Sequence, residues 1–162
     1  MTTPERPLAM STGPYRLDDD TWLDPPTSID GRARPGAPQE SAAFWAALDR
    51  DVLLLPQCDA CGRFTYFPGG GCQWCGGTVH DAPVDGRGVV NTWTLSLLEF
   101  GPGMEVPYVT ALVNPLCEPG LQIMTNLVRC RVSDIRIGMA VRPWIVHGSS
   151  RSLLLYEPDS DA

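Results

Sequence analysis

Cys58-Asp59-Ala60-Cys61-Gly62-Arg63 and Cys72-Gln73-Trp74-Cys75-Gly76-Gly77 are two Cys-x-x-Cys pairs with ten residues between them. Four thiolates converging on one Zn²⁺ at about 2.3 Å need two tight turns whose amides point at the sulfurs, and Cys-x-x-Cys followed by glycine supplies such a turn. Gly62 and Gly76 suit backbone with φ > 0, while Pro68 and the Gly69-Gly70-Gly71 run return the chain to the second pair. Three other readings compete: two disulfides, a redox pair, or iron held as in rubredoxin. Disulfides belong to oxidising compartments, and Met1-Thr2-Thr3-Pro4-Glu5-Arg6-Pro7 has no apolar core of the kind a secretory signal needs, so reduced thiols in a cytoplasmic protein are expected. A redox pair would stand alone near a βαβ pattern, so the doubled motif favours one closed site. Iron stays open as the metal, because a tetrahedron of sulfurs accepts either ion. Cys58, Cys61, Cys72 and Cys75 are therefore read as ligands of a structural Zn²⁺. A closed site leaves no position for water and does not point to metal catalysis.

Around this module the 162 residues, 43% of them hydrophobic, suffice for one modest core. No apolar run approaches the roughly 20 residues of a membrane span. The formal net charge of −7 works against a polyanion as main ligand. Every basic side chain is an arginine, and with no lysine a Schiff base or a phosphate-loop lysine is excluded. Sixteen prolines and sixteen glycines argue for turns and short strands, hence a mainly β chain.

Residues 1–38 are rich in proline, carry Asp18-Asp19-Asp20 and have few apolar anchors, so a flexible, solvated arm is expected. Tyr15, Leu17, Trp22, Leu23 and Ile29 interrupt that composition and would suit docking onto a partner. Residues 39–51 read as a helix capped by Ser41, with Phe44, Trp45 and Leu48 on one stripe. Residues 52–84 hold the ribbon, and residues 85–158 read as five strands. Val89–Leu97 alternates, with Val89, Trp93, Leu95 and Leu97 on one face; Tyr108–Asn114 places Val109, Ala111 and Val113 together. Leu121–Arg131 reads as one long strand apolar on both faces, and Ser133–Gly138 as a helical turn capped by Ser133 and stopped by Gly138. Ala140–Val146 and Ser152–Tyr156 complete the set. Five strands with a turn between the third and fourth fit an OB-type barrel, and a compact sandwich fragment would give a similar string.

Phe44-Trp45, Leu55-Pro56-Gln57-Cys58, Phe67-Pro68, Cys72-Gln73-Trp74-Cys75-Gly76, Gly86-Arg87-Gly88-Val89-Val90, Trp93-Thr94, Pro107-Tyr108 and Ile137-Gly138-Met139-Ala140-Val141 follow one another in an order that resembles the DUF35 family over about residues 40–158. The resemblance implies an N-terminal helix, a rubredoxin-like zinc ribbon and a C-terminal five-stranded OB-fold. It also implies an accessory subunit in a hetero-oligomer with thiolase-like aldolases or thiolases, or with MaoC-like enoyl-CoA hydratases, acting on acyl-CoA, including steroid side chains. Gln73 stands where a proline is common in the family, and the arm before the helix is long.

Chemistry within the chain itself is sparse. His80 and His147 read as solvent-exposed or packing histidines, Cys130 as a buried apolar residue and Cys117 as a loop thiol. No triad is apparent, so no catalytic residue is assigned. Arg63, Arg87, Arg129, Arg131 and Arg142 are the candidates for holding CoA phosphates, since guanidinium forks suit phosphate oxygens. The functional expectation is a non-catalytic subunit that binds and stabilises a thiolase-fold enzyme. The alternatives are a single-stranded nucleic-acid binder, because OB barrels and zinc ribbons serve there too, and an autonomous acyl-CoA enzyme.

Overall fold

The computed structural model describes residues 21–31, 41–66, 70–100 and 104–161. Its elements are β1 (Trp22–Leu23), α1 (Ala42–Leu48), β2 (Leu53–Cys58), β3 (Val79–Val84), β4 (Gly88–Ser96), β5 (Tyr108–Pro115), β6 (Ile123–Leu127), β7 (Cys130–Arg131), a 3-10 turn at Val132–Asp134, β8 (Ala140–His147) and β9 (Ser152–Pro158). Strands β4-β5-β6-β9-β8 close into a barrel, β2 and β3 form an antiparallel hairpin, and β1 pairs with β7. Closure decides for the OB-type barrel over the sandwich fragment.

The barrel core follows from alternation. In β5, Val109, Ala111 and Val113 are buried and the residues between them only partly so, the period expected of a strand with one face inward. Ile123 and Leu127 of β6, Val141 of β8 and Tyr156 of β9 meet them in a single apolar cluster. Strand β4 departs from strict alternation. Its register against β5 shifts between Val90 and Thr92, a β-bulge at Asn91. The extra residue puts Val90, three positions before Trp93, on the core side along with Trp93 and Leu95, and leaves Val89 only partly buried. The expected inward face of Val89, Trp93, Leu95 and Leu97 is therefore corrected at its start.

The stretch Leu121–Arg131 is not one strand. Arg129 adopts φ +58°, and the turn there separates β6 from β7. Met124, expected on a second buried face, is 68% exposed, whereas Val128, just past the end of β6, and Cys130, beyond the turn, are buried. The 3-10 turn begins at Val132 with Arg131 at its N-cap position, so Ser133 lies inside it and does not cap it. Ser41 likewise makes no side-chain cap bond to α1. The helix buries Ala47 and Leu48, with Phe44 and Trp45 edge to face at 5.1 Å and packed against the core cluster. It ends where Asp51 takes φ +58°, a left-handed conformation that aspartate tolerates better than most residues.

The expectation of a flexible arm does not hold for residues 21–31; Tyr15 and Leu17 lie outside the described residues. Leu23 and Ile29 are 2% and 1% exposed, so this segment is a strap across the barrel. Leu23 joins the core cluster, and Ile29 lies beside Gly148 at the β8–β9 turn.

Candidate metal centre

The ribbon hairpin delivers Cys58 at the end of β2, paired in register with Val79 at the start of β3. Each Cys-x-x-Cys then closes on itself: the Gly62 amide donates to the Cys58 carbonyl at 3.0 Å and the Gly76 amide to the Cys72 carbonyl at 2.8 Å. Gly62 and Gly76 have φ +72° and +75°, as the sequence requires of them. The turns aim amides at sulfur: those of Ala60 and Cys61 each lie 3.4 Å from Cys58 Sγ, and that of Trp74 lies 3.4 Å from Cys72 Sγ.

Across the two turns, Cys58 Sγ is 3.5 Å from Cys75 Sγ and Cys61 Sγ is 3.6 Å from Cys72 Sγ. All four sulfurs lie within 4.8 Å of one another. A tetrahedron with Zn–S bonds of about 2.3 Å has edges of roughly 3.8 Å, so the cluster fits the ion. Donor chemistry agrees. The amides of Cys61 and Ala60 hold the Cys58 thiol down to about 6. At Cys75 the Gly77 amide pulls downward, yet the crowded sulfurs of Cys58 and Cys61 push the thiol up to about 12. One thiolate is prepared by the backbone, and the remaining charge needs a dication to sit among the sulfurs. The four cysteines are a structural zinc site.

Outside the sulfurs, Asp59 braces the first turn. Its carboxylate accepts from Thr78 Oγ1 at 2.7 Å and pairs with His80 Nδ1 at 2.6 Å, and these contacts, Thr78 first, lower its pKa. His80 is thus a supporting residue and not a fifth ligand.

The ribbon is fastened to the barrel through Arg63. Its guanidinium lies 3.4 Å from the centroid of the Trp74 ring, and it grips Glu118 with two bonds, Nε to Oε2 at 3.1 Å and Nη2 to Oε1 at 2.7 Å. Trp74 Nε1 donates to the Phe64 carbonyl at 2.9 Å. Arg63 follows one metal turn and Trp74 lies inside the other, so metal binding assembles the grip. Neither Glu118 nor the partnership with Trp74 was legible beforehand. The Arg63 bond holds the Glu118 carboxyl below the ordinary glutamate range. A lowered folded-state pKa stabilises the native state above that range and loses the contribution as pH falls through the folded value. Glu118→Gln is expected to cost about 1–3 kcal/mol near neutral pH and to flatten the acid limb of a stability–pH profile, measured by urea unfolding from about pH 7 down to about pH 3.

The arginines offered for CoA phosphates are not brought to one place. Arg129 and Arg142 converge on the buried Glu157 at 2.7 and 2.8 Å, with Arg129 also over the Trp144 ring. Arg87 faces Asp159 at 3.5 Å, and Arg63 is committed to Glu118. Arg131 lies on β7 beside the strap.

His147 draws together residues that the sequence scatters. Nε2 lies 2.9 Å from Asp51 Oδ1 and Nδ1 lies 2.8 Å from Ser152 Oγ, which donates to Asp49 Oδ1 at 2.7 Å. Ser, His and Asp in contact suggest a nucleophile, but Ser152 is 2% exposed and gives its proton to Asp49. His147 cannot then act as its base. The cluster ties the end of α1 to the β8–β9 hairpin. Cys130 is buried, with its thiol pushed up to about 11 by that burial and by Asp134; Cys117 is exposed.

Comparison with known proteins follows the same division. A family model of the ChsH2 rubredoxin-like zinc ribbon domain matches residues 45–81, and one of the ChsH2 C-terminal OB-fold domain matches residues 81–146. A solved Ltp2-ChsH2(DUF35) aldolase chain superposes with a TM-score of 0.69 at 28% identity, covering 77% of this chain and 98% of that one. The chain belongs to the DUF35 family. A second DUF35 protein, of unknown function from Sulfolobus solfataricus, shares the fold at a TM-score of 0.53 and 15% identity, over 75% of this chain and 86% of that one. Among curated relatives, a probable enoyl-CoA hydratase alpha subunit of Thermomonospora curvata is 32% identical over 78% of this chain. A 3-oxo-4,17-pregnadiene-20-carboxyl-CoA hydratase alpha subunit of Mycobacterium tuberculosis is 29% identical over 90% of it. The chain spans only 40% and 44% of those two subunits. Among its described residues no helix is long and apolar enough to cross a membrane.

Proposed function

We propose that this DUF35 chain is a non-catalytic subunit that binds and stabilises a thiolase-fold aldolase acting on acyl-CoA thioesters, bulky steroid-like acyl groups among them. The observation that carries the reading is the coverage of the solved Ltp2-ChsH2(DUF35) aldolase chain, 98% of which is matched by this one. The two curated relatives are named as hydratase alpha subunits, and partnership with a MaoC-like hydratase is the second reading. A body whose four cysteines leave no open metal position, and whose Ser152 is buried and gives its proton to Asp49, suits a scaffold better than a reaction centre. Its acidic balance and its paired arginines speak against single-stranded nucleic acid.

Co-expression with a thiolase-fold aldolase tests the reading. A stable hetero-oligomer is expected, with retro-aldol cleavage of a β-hydroxyacyl-CoA only when both chains are present. Turnover by the isolated chain, or salt-dependent binding of a labelled oligonucleotide, would defeat it. We also place the CoA phosphates on the partner, because the guanidiniums of Arg63, Arg87, Arg129 and Arg142 already hold carboxylates. Calorimetric titration of the complex with acyl-CoA is expected to give an affinity within about twofold of the parent for Arg87→Ala and Arg131→Ala; a loss of about tenfold, roughly 1.4 kcal/mol, would return the phosphates to this chain.

A further inference from the structure

OB barrels take extended ligands on the face of their second and third strands, between the loop that joins strands one and two and the loop that joins strands four and five. Here those strands are β5 and β6; the described parts of those loops are residues 97–100 and 104–107, and residues 148–151. The strap, residues 21–31, reaches both of those strands and a described part of each loop. Trp22 and Leu23 pair antiparallel with Arg131 and Cys130, adding a strand to the short segment after β6. The Arg129 amide donates to the Leu23 carbonyl at 2.6 Å and the Val132 amide to that of Thr21 at 2.9 Å. Trp22, Leu23 and Pro26 then roof a cavity of about 170 Å³ floored by Tyr108 of β5 and Asn126 of β6. Thr27 Oγ1 donates to Glu105 in the first loop at 2.8 Å, and Asp30 Oδ1 accepts the Ser149 amide in the second at 2.8 Å. Leu23 and Ile29, six residues apart, are the buried anchors.

We propose that the barrel's ligand cleft is a binding site for an extended peptide with two apolar anchors, and that residues 21–31 of the same chain fill it. Main-chain pairing at β7 supplies the affinity and the Leu23 and Ile29 pockets supply the register, the division of labour found where a peptide joins a sheet edge. The pocket for Ile29 is shaped by Gly148: a Cβ there would stand 2.6 Å from Ile29 Cγ1 and 2.6 Å from Asp30 Oδ1. With its own segment in place, the cleft is closed to oligonucleotides and to foreign peptides.

The amides of Arg129, Val132 and Ser149 donate to the strap and so report on it directly by hydrogen exchange in the zinc-loaded full chain. Leu23→Asp combined with Ile29→Asp is expected to speed exchange at all three by about tenfold or more while zinc content stays unchanged. A fluorescein-labelled peptide of residues 18–32 added to that variant should bind and restore the protection, and should not bind the parent chain. Gly148→Ala, which pushes a methyl group into Ile29 without touching the strap's sequence, is expected to speed exchange at Ser149 and carries the test if the double variant loses its zinc. Unchanged exchange in both variants, or peptide uptake by the parent, overturns the proposal. A parent chain that sediments as a dimer and exchanges straps between labelled copies overturns the assignment to the same chain.

Discussion

Cys58→Ser and Cys72→Ser are each expected to empty the metal site and unfold the ribbon. Structural zinc in small Cys sites contributes an apparent 10–16 kcal/mol or so of coupled folding and binding energy, comparable to the whole stability of a domain, about 5–15 kcal/mol. These two sulfurs are the buried pair, and each receives the amides of its own turn, so neither can be replaced by water without disordering both turns. The consequence extends beyond the ribbon. Arg63 and Trp74 are positioned by the two metal turns, and their grip on Glu118 should disappear with the ion. Metal analysis should show loss of one zinc per chain, and chelator treatment of the parent should reproduce the unfolding, reversed by adding Zn²⁺. Because thiols must release protons to bind the metal, zinc affinity should fall as pH falls. Cys117→Ser, at an exposed loop thiol, serves as the control that keeps its metal. Full zinc retention by the Cys58 and Cys72 variants would be incompatible with the four-sulfur site.

Tyr156→Ala should cost about 3–5 kcal/mol, the range for losing a buried aromatic side chain. Tyr156 is fully buried in β9, and its hydroxyl donates to the Gly86 carbonyl at 3.0 Å. Gly86 is the turn between ribbon and barrel, with φ +72°, and a Cβ there would stand 2.5 Å from Pro143 Cγ and 2.6 Å from Leu53 Cδ2. The ring fills the core while the hydroxyl pins the hinge. Tyr156→Phe separates the two roles: it keeps the ring, leaves a buried carbonyl without its donor, and should cost about 1–3 kcal/mol. Urea unfolding of both variants with zinc in excess measures the difference. A Phe variant as stable as the parent would show that the hinge is held by packing alone.

The zinc site could be read before any coordinates because its chemistry is local: four ligands and two glycines lie in twenty consecutive positions. Strand β5 was equally plain, since period two survives from Val109 to Val113. What escaped depends on long separations or on single torsions. Arg63 meets Glu118 across 55 positions, and Thr27 meets Glu105 across 78, with no periodicity to announce either. Arg129 breaks an apolar run by adopting a left-handed conformation that nothing in Leu127-Val128-Arg129-Cys130 advertises. Trp22, Leu23 and Ile29 suggested docking onto another polypeptide, and the strap's host is the chain's own barrel. The arginines looked available for phosphate because their carboxylates, Glu118, Glu157 and Asp159, arrive from other strands and loops.

The bulge in β4 has a consequence for how this barrel tolerates change in length. Strand β4 meets β8 only through its first residues, with Val90 exchanging the last bonds to Gly138 and Met139, and runs on alongside β5 to Ser96. Asn91 sits where the strand must bend away from one neighbour to follow the other. Deleting it would regularise the pattern, leaving Val90, Trp93 and Leu95 in strict alternation. A straightened β4 cannot serve both neighbours, and the gap opened beside β8 would leave two unsatisfied strand margins for other chains to join. The shorter, tidier sequence would be the one that aggregates.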